Sequence, residues 1–319
     1  MKETMYPRIS SMANFFSDTA AGIKHMPQQT YHSDLSIFRN NQEVLEFYKF
    51  HDKLQGNFDK HFFTSIPYIL EEECRLGSTI IKYLSSFEGT KYLYTLGTAE
   101  ATMARTIGIL GKGKIKTFSC SPTKANEEAF YLNGTSGHSK FMVAPYYEIT
   151  NENINRLFPE YKGFDIIIED TTFQMYSNER SKQIAFVKKK LKHDGIIGFI
   201  EKFTLEDGIE YKLREEQKDL LFKRLYFTNE EIQDKRSEIL NTMDTGEVTL
   251  SVFKKELQSY FKYAVVIWNC GNFYSVLASD NKKNLADFIK KMPKVFIPEK
   301  FLWDKVPFSL YGMDDFVFE

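Results

Sequence analysis

Several features that would narrow the function of this chain at once are scarce or missing. There are only three cysteines, Cys74, Cys120 and Cys270, far apart and without a CxxC pair, so neither a zinc site nor a disulfide framework is indicated. A reducing, cytoplasmic compartment is therefore expected. No apolar run reaches bilayer-spanning length, and the first residues, MKETMYPRISSMANFF, lack the charged-then-apolar order of a secretory signal, so no membrane association is expected. Net charge is nearly absent, with 42 basic against 43 acidic side chains, which removes the global positive field that draws nucleic acid by counterion release. The runs Lys188-Lys189-Lys190, Lys282-Lys283 and Lys290-Lys291 leave a local patch open for tRNA or another nucleic acid. With apolar neighbours at helical spacing, each reads first as the wet face of a helix. His25, His32, His51, His61, His138 and His193 show no ligand spacing on a shared helix face and accompany no nucleophile motif, so they receive no role and no metal is expected.

What is present is a folding composition, 42% apolar with 29 Phe and 18 Tyr, too rich in core-forming residues for a disordered chain. Residues 1–62 read as an extension, polar and irregular to about residue 40, then helical from Asn41. Residues 63–280 open with a helical pattern after Pro67 and then change period. YLYTLG is a short apolar run ending at Gly97, and TAEATMARTIGIL behind it is helical. Strand and helix then alternate through KIKTFSCSP with KANEEAFYLN, through KFMVAPYY (residues 140–147), and through FDIIIED with SNERSKQIAFVKKKLKHDG. The helix is read to Gly195, and strand IIGFIEKF follows. YAVVIWNCGNFYSVLAS reads as a hairpin turning at about residues 269–272. Residues 281–319 read as a short helix and coil, packing on the domain or on a partner. The pattern predicts an α/β fold with a mostly parallel, doubly wound Rossmann-like sheet ending in an antiparallel hairpin, its ligand outside the carboxyl ends of the strands.

A nucleotide-like cofactor in such a fold needs close backbone approach at the first strand-to-helix turn, where glycines are expected. Here the turn is TLGTAEATMA: Gly97 is present, but Ala99, Glu100 and Ala101 follow. The second strand should end in a carboxylate that accepts from both ribose hydroxyls. FSCSP instead offers Ser119 and Cys120, then Ser121, and a hydroxyl gives one weaker bond. At the end of the fourth strand, IIIEDTTFQMY places Glu169 and Asp170 in the crevice, either to orient a ligand or to cap the next helix through free amides.

From this point the stretches FQMYSNERSKQIAFVKKKLKHDGIIGFIEKFTLED, EEIQDKRSEILNTM and VIWNCGNFYSVLA resemble the carboxy-S-adenosylmethionine synthase family, within the class I S-adenosylmethionine-dependent methyltransferase superfamily. The resemblance covers roughly Phe63 to Ser279 and is strong from about Asp165 onward. It implies a class I methyltransferase fold, a homodimer, and S-adenosylmethionine or its carboxylated derivative as the small-molecule ligand. Residue by residue it implies cofactor contacts from Tyr68 in IPYIL and from Gly97, Thr98 and Ala99, and it places the family's fourth-strand Asn on Asp170. Its carboxylate-gripping Arg, reaching from the neighbouring subunit, falls on Arg236 in QDKRSEIL, and a planar, permanently charged fork suits that task. Read without the resemblance, Arg236 is an i,i+4-type partner of Glu231 or Glu238 on a charged helix.

The departures lie on the adenosine side: Ala101 for a glycine, Ser119 for the ribose acid, and Tyr146 or Tyr147 for the acid after the third strand, where a ring is suited to stack on adenine. The expected function is therefore a transferase using S-adenosylmethionine or a carboxylated derivative on an unassigned acceptor, with Asp170, Glu201 or Tyr176 available as a base. The competing reading is an inactive methyltransferase-like binding or structural protein, and the two differ in whether the space beside Gly97 is open or filled. Direct modification of tRNA or DNA is a third reading and would show as salt-dependent binding.

Overall fold

The computed structural model describes residues 8–318. Eight strands form one sheet: β1 (Lys91–Leu96), β2 (Ile115–Ser121), β3 (Ser139–Val143), β4 (Phe164–Asp170), β5 (Leu191–Lys202), β6 (Tyr263–Cys270), β7 (Phe273–Ser279) and β8 (Phe308–Tyr311). Their order is β3-β2-β1-β4-β5-β7-β6-β8. The strands β1 to β5 pair in parallel, whereas β7 runs antiparallel to β5 and β6, and β8 antiparallel to β6. The chain winds outward from β1 in one direction and from β4 in the other. The carboxyl ends of those two neighbours therefore bound the crevice of a topological switch point.

The isoleucine run of β4 is buried on both faces because helices cover both. Ile166 and Ile168 enter one core with Ile69, Leu76 and Ile80 of the helix Ile69–Leu84, while Ile167 points the other way among Ile184, Val187, Phe253 and Leu257. That two-residue alternation into two cores is the geometry of a parallel strand covered on each side.

We number the helices that shape the crevice α1 (Ala13–Ala20), α2 (Gln42–Leu54), α3 (Asn57–Phe63), α4 (Ile69–Leu84), α5 (Thr102–Leu110), α6 (Lys124–Leu132), α7 (Gly208–Leu221) and α8 (Asn229–Lys235). Helix α8 runs into a π-helical turn, Arg236–Leu240. Such turns re-aim the side chains that follow them.

Five assignments differ from the sequence reading. The third strand stops at Val143, because Pro145 cannot donate to a ladder and residues Tyr146–Glu148 close a 3-10 turn. The strand β5 starts at Leu191, before Gly195, pairing with Phe164 and then shifting register before Ile166. The helix preceding it ends at Lys188. Within the N-terminal stretch read as irregular, residues 13–20 are helical. Near the other end, Phe308–Tyr311 is a strand on the β6 edge where coil was expected.

In the second core Phe118 of β2 meets Tyr94 (centroids 5.1 Å apart) and Phe164 (6.2 Å), and Phe118 is fully buried. Replacing Phe118 by Ala is expected to cost about 3–5 kcal/mol. Urea denaturation would measure it, and a loss below about 1 kcal/mol would mean that this ring stack does not hold β2 in the sheet.

Candidate functional site

A cavity opens over the carboxyl ends of β2, β1, β4, β5 and the start of β7, roofed by α1, α3 and the segment from α7 to Asp244. Its empty space, open solvent at the mouth included, is ≈ 1300 Å³. The space beside Gly97 is open, and that residue lines it together with Thr98 and Ala99.

The first turn keeps a glycine-like backbone without the glycines. Gly97 has φ +69°, Ala99 +35° and Ala101 +54°, so both alanines occupy the left-handed region that costs an L-residue about 1–2 kcal/mol. Gly97 itself is required, since a Cβ there would lie 2.0 Å from Thr172 Oγ1. Thr171 (φ +47°) after β4 and Tyr68 (φ +59°) ahead of α4 are strained in the same sense. Strain concentrated around one crevice is characteristic of a functional loop set. Glu100 is fully buried beneath the turn, accepting from the Phe58 amide at 2.9 Å. Burial, with the charge of Asp59, pushes its carboxyl up to about 9.

The end of β4 divides the two roles that its acidic pair left open. Glu169 Oε1 accepts from the amides of Thr172 (2.5 Å) and Phe173 (2.8 Å), which is the capping role. Asp170 faces the cavity, 6% exposed, with Oδ1 unbonded among the described residues. Asp170 meets Glu73 of α4 and lies near Asp59 of α3; all three carboxyls line the cavity. Burial and then the charges of Glu73 and Asp59 push Asp170 well above the carboxylate range, and burial and then Asp59 do the same to Glu73. Glu73 Oε2 lies 2.9 Å from His51 Nε2, and burial lowers that imidazole to about 4. Asp170 and Glu73 are thus a pair of raised carboxyls whose ionised forms a bound cation would favour.

The opposite wall is basic. Lys202 of β5, Lys218 of α7, Lys223 and Lys235 of α8 all line the cavity, and His61 of α3 lies among them. His61 Nδ1 sits 2.5 Å from the carbonyl of His25, which can only accept, so Nδ1 carries the proton. Its Nε2 is then the acceptor for Lys235 Nζ at 2.5 Å, while Lys235 also donates to Ser65 Oγ at 2.9 Å. Burial, reinforced by Lys235, holds His61 well below its ordinary value. The sequence assigned neither residue a role, because the pair is 174 positions apart and shows no motif.

The other expected residues fall as follows. Ser119 turns into the sheet and bonds Thr95 at 2.7 Å, with Thr98 joining that hydroxyl chain at 3.4 Å, and Cys120 meets the Tyr94 hydroxyl at 3.0 Å. Neither lines the cavity; the β2 edge contributes Ser121, Pro122, Thr123 and Asn126 instead. Tyr146 and Tyr147 lie outside the cavity in a buried aromatic cluster with Phe173 and Tyr176. The Tyr68 ring packs on Phe301 and Phe222 outside the cavity. Arg236 also lies outside it and pairs with Asp219 at 2.9 Å, not with Glu231 or Glu238. Glu201 is sealed against Arg180 at 2.7 Å, whereas Tyr176 reaches the cavity. Among the described residues, no group of three or more His, Cys, Asp or Glu is placed to hold a metal ion, and no helix is long and apolar enough to cross a membrane.

No protein-family model matches the chain, and no curated protein matches it in sequence. Solved structures do match in shape. The plantazolicin methyltransferase BpumL, solved with a monoazolic desmethylPZN analogue and SAH, is similar over 88% of this chain and 97% of its own, with TM-score 0.50 and 9% identity. Human N-acetylserotonin methyltransferase, solved with SAM, is similar over 88% and 67% at 14% identity, with a lower TM-score of 0.40. The architecture is thus the Rossmann-like α/β fold of class I methyltransferases, mostly parallel and closed by an antiparallel hairpin.

Strain relief gives a test of the first turn. Ala101→Gly is expected to be neutral or stabilising by up to about 1 kcal/mol, whereas Ala104→Gly in the interior of α5 should destabilise by about 1 kcal/mol or more. Equal losses in thermal unfolding would show that Ala101 is unstrained.

Proposed function

We propose that the chain is an S-adenosylmethionine-dependent methyltransferase whose cofactor lies over β2, β1 and β4. The observation that carries this is the cavity-facing Asp170, its Oδ1 unbonded among the described residues, beside Glu73 at the switch point and next to a turn that holds glycine-type φ values under strain. When bound, S-adenosylmethionine would supply a methyl group activated by a sulfonium centre.

The residues present fit such a group. The Gly97–Ala99 backbone lines the cavity, and Asp170, Glu73 and Asp59 suit the cationic methionine part. At the β2 edge, Ser121 Oγ is already held by Asn126 Nδ2 at 2.8 Å, so ribose hydroxyls would meet an amide and hydroxyls in place of a carboxylate. Weaker adenosine binding than with a bidentate acid follows. Apolar side chains from α1 and α3, among them Phe15, Phe58 and Phe62, exclude water from the reacting centre. Asp170, once ionised by a bound sulfonium, is a cavity-lining group able to take a proton from an acceptor, whereas His61 Nε2 is already engaged by Lys235. The similarity of the BpumL structure solved with SAH supports a ligand of the same kind here.

The finer reading, use of a carboxylated derivative by a homodimer, rests on Arg236. Within one chain its guanidinium is held by Asp219 and lies outside the cavity, so that reading requires it to exchange Asp219 for a ligand across a subunit boundary. The unmodified cofactor needs no such exchange and is the reading we favour.

Calorimetry with S-adenosylmethionine and S-adenosylhomocysteine tests this directly, and absence of binding to either would sink it. Asp170→Asn is expected to weaken S-adenosylmethionine by about 10- to 100-fold, the worth of a charge-assisted contact. The pH dependence has a definite sign. Asp170 and Glu73 hold protons because their values are raised, and a cationic ligand favours their ionised forms. Affinity for the sulfonium should rise with pH, and the double variant Asp170→Asn, Glu73→Gln should flatten the profile.

A further inference from the structure

We infer that the acceptor is a small organic anion, a carboxylate or phosphate on an apolar or aromatic body, whose charged group is received by Lys235 with Lys223 and Lys218 at the β5–β7 end of the cavity. This rests on the methyl-transfer reading of the same cavity and names the substrate class for it.

The placement follows from strand order. Cofactor-side elements, Gly97 to Ala99 and Ser121 to Asn126, stand over β1 and β2, with Asp170 of β4 in the middle. Lys202 and Phe273 stand over β5 and β7, and Lys218 lies 5.8 Å from the centre of the Phe273 ring. From β1 to β5 is two strand spacings, about 10 Å. Lys202 and Lys218 therefore stand over a part of the sheet separate from the cofactor-side turn, and Lys235 reaches the same cavity from α8.

The ion pairing of the basic wall is incomplete at one residue. Lys202 contacts Glu215, Asp244 and Glu247, Lys218 contacts Glu215 at 2.6 Å, and Lys223 contacts Asp219 at 3.2 Å. The second oxygen of Asp219 is taken by Arg236. Lys235 has no carboxylate at ion-pair distance among the described residues; its partners are the neutral imidazole of His61 and the hydroxyl of Ser65. Lys223 and Lys218 are nearly withdrawn from solvent, 3% and 6% exposed. Burial and the charges of Lys223 and Lys218 hold Lys235 well below the usual lysine range, and burial with Lys218 lowers Lys223 to about 8.

Cations massed at a cavity wall, one of them unpaired and desolvated, form a receptor for an anion. Phe15, which Lys235 approaches at 5.9 Å, and Phe62, Leu240 and Met243 surround the position with apolar surface for the body of the molecule. Once the anion is bound, Lys235 regains a reason to be charged, so binding takes up a proton.

The test uses 3-phenylpropionate, phenyl phosphate and the uncharged 3-phenylpropionamide. Each is titrated calorimetrically into the full chain, alone and saturated with S-adenosylhomocysteine, in two buffers of different ionisation enthalpy. The anions are expected to bind at least about tenfold tighter than the amide, with proton uptake that the amide does not show. The tighter of the two anions then identifies the charged group. Lys235→Met should bring the anions to within about twofold of the amide and leave S-adenosylhomocysteine affinity unchanged. Failure of both anions to bind, equal binding of acid and amide, or anion binding without proton uptake would overturn the proposal on the wild-type protein alone. Anion preference surviving in Lys235→Met would also overturn it. So would a loss confined to S-adenosylhomocysteine, which would assign the charge to the carboxylate of the cofactor. Failure of S-adenosylhomocysteine to bind wild-type protein while the anions bind would count against the cofactor reading only.

Discussion

Lys202, the last residue of β5, is almost withdrawn from solvent and contacts Glu247 at 2.8 Å, Asp244 at 3.1 Å, Glu215 at 3.3 Å and the Tyr211 hydroxyl at 2.7 Å. Burial alone would strip its proton, yet the surrounding carboxylates, Glu215 and Glu247 foremost, hold it charged well above the ordinary lysine value. Three chain segments meet on this one ammonium: the carboxyl end of β5, helix α7 and the segment after the π-helical turn. A buried ion of this kind costs several kcal/mol to desolvate and is tolerated because its partners are charged and close. It joins β5 directly to the α7 side of the roof. The acidic residues of the cavity stand on β4, α3 and α4, and the basic ones on β5, α7, α8 and the turn between those two helices.

The acidic wall is organised from beneath in a comparable way. Arg105 of α5 donates to the Glu100 carbonyl at 3.0 Å, the Leu54 carbonyl at 2.8 Å, the Gly134 carbonyl at 3.0 Å and the Thr102 hydroxyl at 2.5 Å. Thr102 in turn bonds Asp59. The end of α2, the strained turn and the loop after α6 are thus gathered on one guanidinium, whose planar array of donors suits several carbonyls at once. Gly56 allows the contact: a Cβ there would lie 1.8 Å from Glu100 Oε2. The left-handed alanines of the turn persist because these neighbours over-determine the backbone around them.

Much of the sheet was legible because its signals are local. FDIIIED announces a doubly covered strand, and the alternation of strand and helix fixes a parallel sheet with its crevice at the carboxyl ends. Gly97 and Asp170 were legible for the same reason, since they terminate β1 and open the crevice after β4. The rest of the site was not, and the cause is physical. Ser119 and Cys120 were placed from the strand end, but β2 continues to Ser121, and a side chain one or two residues short of the edge lies within the sheet. Tyr146 carries an adenine-stacking ring in sequence, yet Pro145 ends the ladder and the ring joins the core. His61 and Lys235 come together only through tertiary packing of α3 against α8, a contact that leaves no period or spacing behind.

The strand β8 shows how a sheet of this length is finished. Ala264, Val265, Val266, Ile267 and Trp268 of β6 are all buried, and without Phe308–Tyr311 the outer side of that strand would present unpaired amides and carbonyls beside a wholly apolar sequence. Such an edge is a template for pairing with another chain. The covering strand is only four residues long and is bounded by Pro307, which cannot donate, and by Gly312 in a left-handed turn. Resistance to edge-to-edge aggregation is therefore invested in a short segment far from the cavity, and loss of that segment would affect solubility before it affected ligand binding.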